Sequence, residues 1–417
     1  MIEHDSRYFS LSGDIPIGGP STWHIVDWDR RRVVSVTMDG DQDDADLAIE
    51  HFSRYNNELP SSVYRIYVSD TGEIISQHSD PKDDQSYCMF YPLLSEISIP
   101  EGVQTVRRDE LEEMERLGPD ADLVSYPPCS GVSGTKAVFK YCFLWQYSQM
   151  SWKEMNLWMR LPSHPNIVPF DKIVVDELES RIVGFTSAYM LGGSLEKNRS
   201  RTFKLEWLRQ LIQVVDLLNL QCGISHQDIA PRNLLVDELT DTIKIFYFNF
   251  AARISHSSSP SEGESYIEDR NDVKGVVFTT YELITQDYSL RDLPHEDQNL
   301  DYLAKEWVKH PDVKLDHPIA SYRLTLEEWQ KRRADMESPD APELLEWPSR
   351  PRPPPRTMSF KGPDGQLHSV TMDDWDERRQ DVQARGDKVL NWERPPQRAL
   401  NNGTRVLSTG QILECPS

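Results

Sequence analysis

The 417 residues predict an α+β protein, and three observations carry that reading. Short runs rich in β-branched and aromatic residues recur, at 33–37, 63–68, 73–78 and 136–140. Elsewhere apolar residues fall at helical spacing, as Met155, Trp158 and Met159 do. Two apolar runs, 234–236 and 243–248, flank a polar turn at 237–242, the pattern of a hairpin.

In chain order, residues 1–100 read as a small α/β unit: strand 33–37, helix 45–55, strands 63–68 and 73–78, and a further strand at 89–94. Within it Asp39, Asp41, Asp43 and Glu50 mimic the spacing of a calcium loop. Asp44 stands where such a loop turns on glycine, and helix formers follow at once. The expected reading is an acidic helix N-terminus favoured by the helix dipole. Residues 103–117, rich in Glu and Arg, are expected as a helix or solvated linker. The glycines of Ser130-Gly-Val-Ser-Gly-Thr135 lie too close to Lys140 for a glycine loop between long strands. They predict a tight hairpin joining 122–126 to the Lys140 strand.

The most specific stretch is His226-Gln-Asp-Ile-Ala-Pro-Arg-Asn233, followed by Leu-Leu-Val and by Ile243-Lys-Ile-Phe-Tyr-Phe-Asn249. It resembles the catalytic loop and metal-binding strand of protein kinases, with the H-x-D-x-x-x-x-N spacing between Asp228 and Asn233. Phosphoryl transfer needs a carboxylate to orient or accept the proton of the attacking hydroxyl, and oxygen ligands for magnesium. Upstream features follow in the order this resemblance requires. Lys140 ends a strand similar to V-A-I-K, and Glu154 lies fourteen residues on, in a helix candidate. Leu161-Pro-Ser-His-Pro-Asn-Ile-Val168 resembles the H-P-N-I linker. Val183-Gly-Phe-Thr-Ser-Ala-Tyr-Met-Leu-Gly-Gly-Ser-Leu195 resembles a fifth strand, hinge and G-G-S-L entry into the large lobe. Asn271-Asp-Val-Lys-Gly-Val-Val-Phe-Thr-Thr-Tyr-Glu-Leu283 resembles the helix whose Asp anchors the catalytic loop, although Asp272 also suits a plain helix N-cap.

The resemblance covers about residues 120–290 and implies a bilobal protein-kinase-like fold. The small lobe is then β-rich and the large lobe mostly helical, with an N-terminal α/β extension and a Pro-rich C-terminal tail. The implied segments are 1–100, 101–190, 191–330 and 331–417. Asp228 is expected as base, Lys140 on the phosphates of ATP with Glu154 holding it, and Asn233 on magnesium. Backbone groups from Ala188 to Met190 are expected beside the adenine, with Ser187 as gatekeeper and His226 and Asp272 as structural anchors. H-x-D-I-A-P-R-N-L-L loops of this kind occur in a protein-kinase-like group common in filamentous fungi, which resembles serine/threonine kinases.

Several positions depart from the pattern. Tyr247 occupies the place of the magnesium-binding Asp of D-F-G, and a neutral phenol is a poor ligand for a hard cation. Gln227 replaces the Arg that receives an activation-loop phosphate in regulated kinases, so no such switch is expected. The stretch from Tyr247 to Asp272 is short and lacks A-P-E, and its serine-rich middle, 255–265, is expected to be mobile. Three functions follow: a protein-kinase-like phosphotransferase of Ser/Thr type with weakened magnesium binding, a pseudokinase scaffold, or a small-molecule kinase of the aminoglycoside and choline kinase kind. Tyr247 favours the second, the short segment the third, and G-G-S-L with Asp272 the first.

A net charge of −23 argues against nucleic acid and anionic membrane surfaces as partners. Five cysteines without C-x-x-C spacing indicate reduced thiols. The sequence begins with acidic residues and contains no apolar run of spanning length, so an intracellular protein, cytoplasmic or nuclear, is expected. The Pro-rich run at 347–356 favours polyproline II and is partly echoed at 391–396. It reads either as a ligand for an SH3-like partner or as an arm whose Trp347 and Trp392 dock onto the large lobe. Protein partners are thus expected at the N-terminal region and the tail.

Overall fold

A computed structural model describes residues 2, 4–126, 134–254, 266–304, 306–335, 345, 348–361, 365–373 and 375–413. The chain forms two compact units. One comprises Met1–Ser148, Asp171–Ser187 and Arg350–Ser417; the other comprises Gln149–Phe170 and Ala188–Ser349. Most strands belong to the first and the longer helices to the second, so the fold mixes α and β structure. Among the described residues no helix is long and apolar enough to cross a membrane.

The first unit begins with a five-stranded sheet in sequential order: β1 (Tyr8–Asp14), β2 (Ser21–Asp27), β3 (Arg32–Met38), β4 (Arg65–Val68) and β5 (Ile74–His78). Helix α1 (Asp46–Tyr55) makes the crossover between β3 and β4, the parallel pair. Its Ala48 and Phe52 pack with Ile25, Val34, Val36 and Ile66 from one face of the sheet. Val26 and Val33, on alternate positions, face a second core with Tyr91, Phe139 and Tyr141. Strands β1 and β2 were not expected, because Ser and Gly dilute the apolar residues of β1 and His24 interrupts those of β2. The acidic residues before α1 have other partners than a calcium ion. Asp39 accepts from the Tyr67 hydroxyl, Asp41 from the Gly18 N–H, and Glu50 pairs with Arg54.

A second sheet carries Lys140. Its central strands are β6 (Gln104–Arg107), β7 (Glu112–Gly118), β8 (Ala121–Ser125), β9 (Lys136–Tyr141), β10 (Phe170–Val175) and β11 (Ile182–Ala188). Their order is β7-β8-β9-β11-β10-β6, and helix α2 (Trp145–Trp158) follows β9. The helix or solvated linker expected at 103–117 is therefore two strands. Its charged residues mislead because Glu113 and Arg116 are buried in the sheet, where they meet other charges. Strand β8 pairs with β9 as the hairpin expectation required, whereas residues 130–133 lie outside the described residues. The strand expected at 89–94 is shorter, Tyr87–Met89.

From Arg350 on, the tail expected at 331–417 belongs to this unit and not to the large lobe on which it was expected to dock, while its residues up to Ser349 belong to the other unit. Its strand Arg405–Leu407 covers the free edge of β7, as β6 covers that of β10, and covered edges resist pairing with other chains. Trp392 stacks on Tyr141 at 5.2 Å with the Arg108 guanidinium 4.5 Å from its ring. Arg394 pairs with Asp29 and Glu113, and Arg31 joins Glu113 to Asp122, all buried. The tail is thus held both by buried ion pairs and by the packing of Leu390 and Trp392 on the core. Trp347 lies outside the described residues.

The second unit packs α3 (Leu205–Asp216), α4 (Asp272–Thr285) and α5 (Ile319–Asp335) with the hairpin β12 (Leu234–Asp237) and β13 (Thr242–Ile245). Leu208, Leu211 and Val215 of α3 are buried, the spacing of one helical face. The serine-rich stretch 255–265 lies outside the described residues.

Candidate functional site

The loop from His226 to Asn233 runs into β12 and is built almost entirely on hydrogen bonds from its own unit. Asp272 is the first residue of α4, while the capping oxygen is that of Asn271, which accepts from the Lys274 N–H at 3.0 Å. The buried Asp272 carboxylate is thereby turned to the loop. It accepts from the N–H of His226 at 2.7 Å, the N–H of Gln227 at 2.8 Å and the Asn219 amide at 2.8 Å. His226 in turn places a ring nitrogen 3.0 Å from the Phe246 carbonyl and its ring edge against Phe248. Phe248 also meets Trp158, whose indole donates to Val168 at 2.7 Å. The loop and the strand after it are thus held in one register.

Asp228 is fixed on both oxygens. Arg232 donates to Oδ1 at 2.5 Å and Asn233 to Oδ2 at 2.7 Å; the same Asn233 Nδ2 also donates to the Asp228 carbonyl at 2.8 Å. Pro231 opens a single helical turn, which closes with the Asn233 N–H on Ala230 and brings Asn233 back onto Asp228. The carboxylate is thereby buried and held in one orientation. Burial pushes the nearby Arg270 guanidinium down, and Asp228 offsets part of that.

The following residue, Ile229, is gripped from three sides. Its carbonyl accepts from the Thr279 hydroxyl at 3.0 Å and from Arg291 at 3.1 Å, and Arg291 is oriented by the buried Glu282 at 2.6 Å. Gly275 of α4 lies so near that a Cβ there would come within 2.8 Å of the Ile229 Cβ. Neither Arg291 nor Thr279 carries a signal in the sequence. Gly275 does: a glycine inside a helical pattern marks close packing.

The structure gathers Asp228, Asn233, His226 and Asp272 in one unit. Ala188 and Met190 also belong to it; the Ala188 N–H donates to Pro169, and the Met190 carbonyl accepts from Gly193. Lys140 is buried on β9 of the other unit, and Glu154 is buried on α2. Gly184 of β11 runs against Lys140, since a Cβ there would collide with the Lys140 carbonyl. Where a phosphate-covering loop would join β7 to β8, the two strands are joined by the two-residue turn Pro119-Asp120, with Gly118 paired to Ala121. Arg116 donates to the carbonyls of Gly118 and Pro119 and holds the turn in place.

Tyr247 adopts a left-handed backbone, φ +70° and ψ +66°, a conformation in which Asp and Asn are at home and a bulky residue is an outlier. Asn249, two residues on, is buried and its Nδ2 lies 3.6 Å from the Met150 sulfur. Among the described residues no group of three or more His, Cys, Asp or Glu side chains is placed to hold a metal. A single amide oxygen from Asn233 and a phenol at 247 do not fit a magnesium ion held tightly by the protein itself.

No protein-family model matches the chain. It is similar to the CBL-interacting protein kinase 12 of rice, 33% identical over 105 residues, which is 24% of this chain and 18% of that protein. It is also similar to the CBL-interacting serine/threonine-protein kinase 2 of Arabidopsis thaliana, 34% identical over 111 residues, 25% of this chain and 23% of that protein. The chain spans about a fifth of the length of the curated relatives it matches. This likeness supports a protein-kinase-like relationship.

Proposed function

We propose that the chain is a bilobal protein-kinase-like domain that transfers phosphate from ATP to a protein Ser or Thr hydroxyl, slowly. The single observation that carries this reading is the Asp228–Asn233 pair at 2.7 Å in a loop anchored by Asp272, the arrangement hydroxyl-directed phosphoryl transfer asks for. In this reading Asp228 orients the acceptor and takes its proton. Arg232 and Asn233 hold its two oxygens. Lys140, kept in place by Glu154, meets the nucleotide phosphates, while Ala188 and Met190 present backbone groups to the adenine. Magnesium arrives with ATP and gains little from Tyr247, which accounts for slow transfer. The Ser/Thr class follows the names of the similar plant kinases.

A second reading, a scaffold that binds partners without transfer, is favoured by the Pro119-Asp120 turn together with Tyr247. The N-terminal region and the tail are then its partner-binding surfaces. Calorimetric titration with ATP, with and without magnesium, and phosphate transfer to dephosphorylated casein separate the two. Magnesium-dependent binding with measurable transfer supports the first; binding without any transfer overturns it and leaves the scaffold.

A further inference from the structure

Gln227, the residue before the proposed base, has all four of its polar groups engaged, and it is buried. Its N–H donates to Asp272 at 2.8 Å and its carbonyl accepts from Arg270 at 3.0 Å. Its side-chain amide donates to the Phe250 carbonyl at 2.8 Å, and its side-chain oxygen accepts from the Ile267 N–H at 2.7 Å. The residue sits at φ +60°, a left-handed backbone that non-glycine residues hold only when their surroundings insist on it. Arg270 adds a contact of its own, its guanidinium 4.4 Å from the Phe250 ring.

Phe250 lies five residues past the end of β13, and Ile267 five residues before the start of α4. One neutral side chain therefore ties both points, seventeen positions apart, to the loop that bears Asp228. We infer that Gln227 is a positioning residue, an uncharged strut that fixes the loop against both ends of the 250–267 segment without a phosphate group on that segment. An amide does this at every pH, whereas a carboxyl group does it only when protonated. The bond to Phe250 needs a donor and the bond to Ile267 an acceptor, on one planar group. The inference rests on the proposed reaction only for its effect on turnover, since the strut itself is measurable without any activity.

The requirement for both a donor and an acceptor makes the test specific. Gln227→Glu keeps shape and acceptor; when protonated it regains the donor, and when ionised it sets a charge against the Phe250 carbonyl. Hydrogen exchange of the Ile267 and Gln227-position N–H groups is measured on the full chain between pH 4 and 8 and corrected for intrinsic rates. Wild type should keep constant protection. Gln227→Glu should lose about five- to tenfold at high pH and recover as pH falls, whereas Gln227→Met should lose protection throughout. Transfer to casein, where present, should follow the same profile. A variant that replaces all six serines between 255 and 265 by alanine should match wild type in protection and turnover. Wild-type protection in both Gln227 variants at every pH overturns the strut, and so does loss of protection in the serine-free variant. Absence of transfer in wild type overturns the proposed function alone.

Discussion

Two hairpins of this molecule differ in how they use their polar residues. In the second unit, β12 and β13 follow a loop whose Asp228 and Asn233 are positioned side by side while the loop is anchored from behind by Asp272. In the first unit, the hairpin β7–β8 closes in two residues, and its polar side chains turn inward. Arg116 grips the turn's own carbonyls and pairs with Asp122, which pairs in turn with Arg31. Asp228 pairs with an Arg232 that is half exposed, whereas Asp122 and its two arginines are wholly buried.

Breaking the first hairpin should have the largest effect. Asp228→Asn keeps the shape and most hydrogen-bonding capacity of the side chain but removes the proton acceptor. Transfer should fall by about two to four orders of magnitude, with nucleotide affinity by calorimetry unchanged. Turnover equal to wild type excludes Asp228 as the base. Breaking the second hairpin should act on stability instead. Asp122→Ala leaves the Arg31 and Arg116 guanidiniums buried without this carboxylate. Removing one member of a buried ion pair costs about 3–5 kcal/mol, to be read as a lowered urea midpoint. An unchanged midpoint means the network does not hold this hairpin.

Tyr247→Asp sharpens the comparison by restoring one ligand next to the intact loop. An Asp suits the left-handed backbone at this position better than a tyrosine does. A restored metal carboxylate should raise magnesium-dependent turnover by about tenfold or more. No gain in turnover refutes the account of the defect. Gly275→Ala probes the support behind Asp228: the new methyl group must push Ile229, at a cost of about 1–3 kcal/mol. Transfer should fall with it, whereas a methyl at Gly118, whose Cβ would meet nothing closer than 4.0 Å, should leave transfer alone. Equal turnover in the two variants removes Gly275 from the positioning of the loop.

The side of this comparison that holds the 226–233 loop was legible in the sequence because its requirements are local. Asp228, Pro231 and Asn233 lie within six positions, and the turn they form brings them together whatever surrounds it. Asp272 was legible through order along the chain, although the alternative as N-cap fell to its neighbour Asn271. What the sequence hid are interactions between distant positions. Arg394 finds Glu113 and Asp29, and Trp392 finds Tyr141, with no periodicity to announce either. The strand at 112–118 was hidden for the same reason, since Glu113 and Arg116 look solvated until their buried partners are known. Arg291 reaches the Ile229 carbonyl across 62 positions, and only a fold reveals such a contact.

The smallest expected effect tests whether the second unit holds its helices as its loop is held, by carboxylates that accept several hydrogen bonds at once. Asp316 accepts from the Leu205 N–H at the start of α3 at 2.9 Å and from the Tyr322 hydroxyl at 2.7 Å, with His317 3.0 Å away. Burial pushes its carboxyl up, but the bonds from His317, Tyr322 and Leu205 outweigh it and hold the group down at about 2. A carboxyl depressed on folding stabilises the native state above its unfolded value near 4, and that contribution disappears as pH falls through about 2. The side chain is about a third exposed, so water screens the effect to well under 1 kcal/mol. Asp316→Asn should therefore lower stability slightly at pH 7, and the gap from wild type should close between pH 4 and pH 2 in urea titrations. A gap that stays constant down to pH 2 assigns the loss to altered packing around Leu205 rather than to the charge.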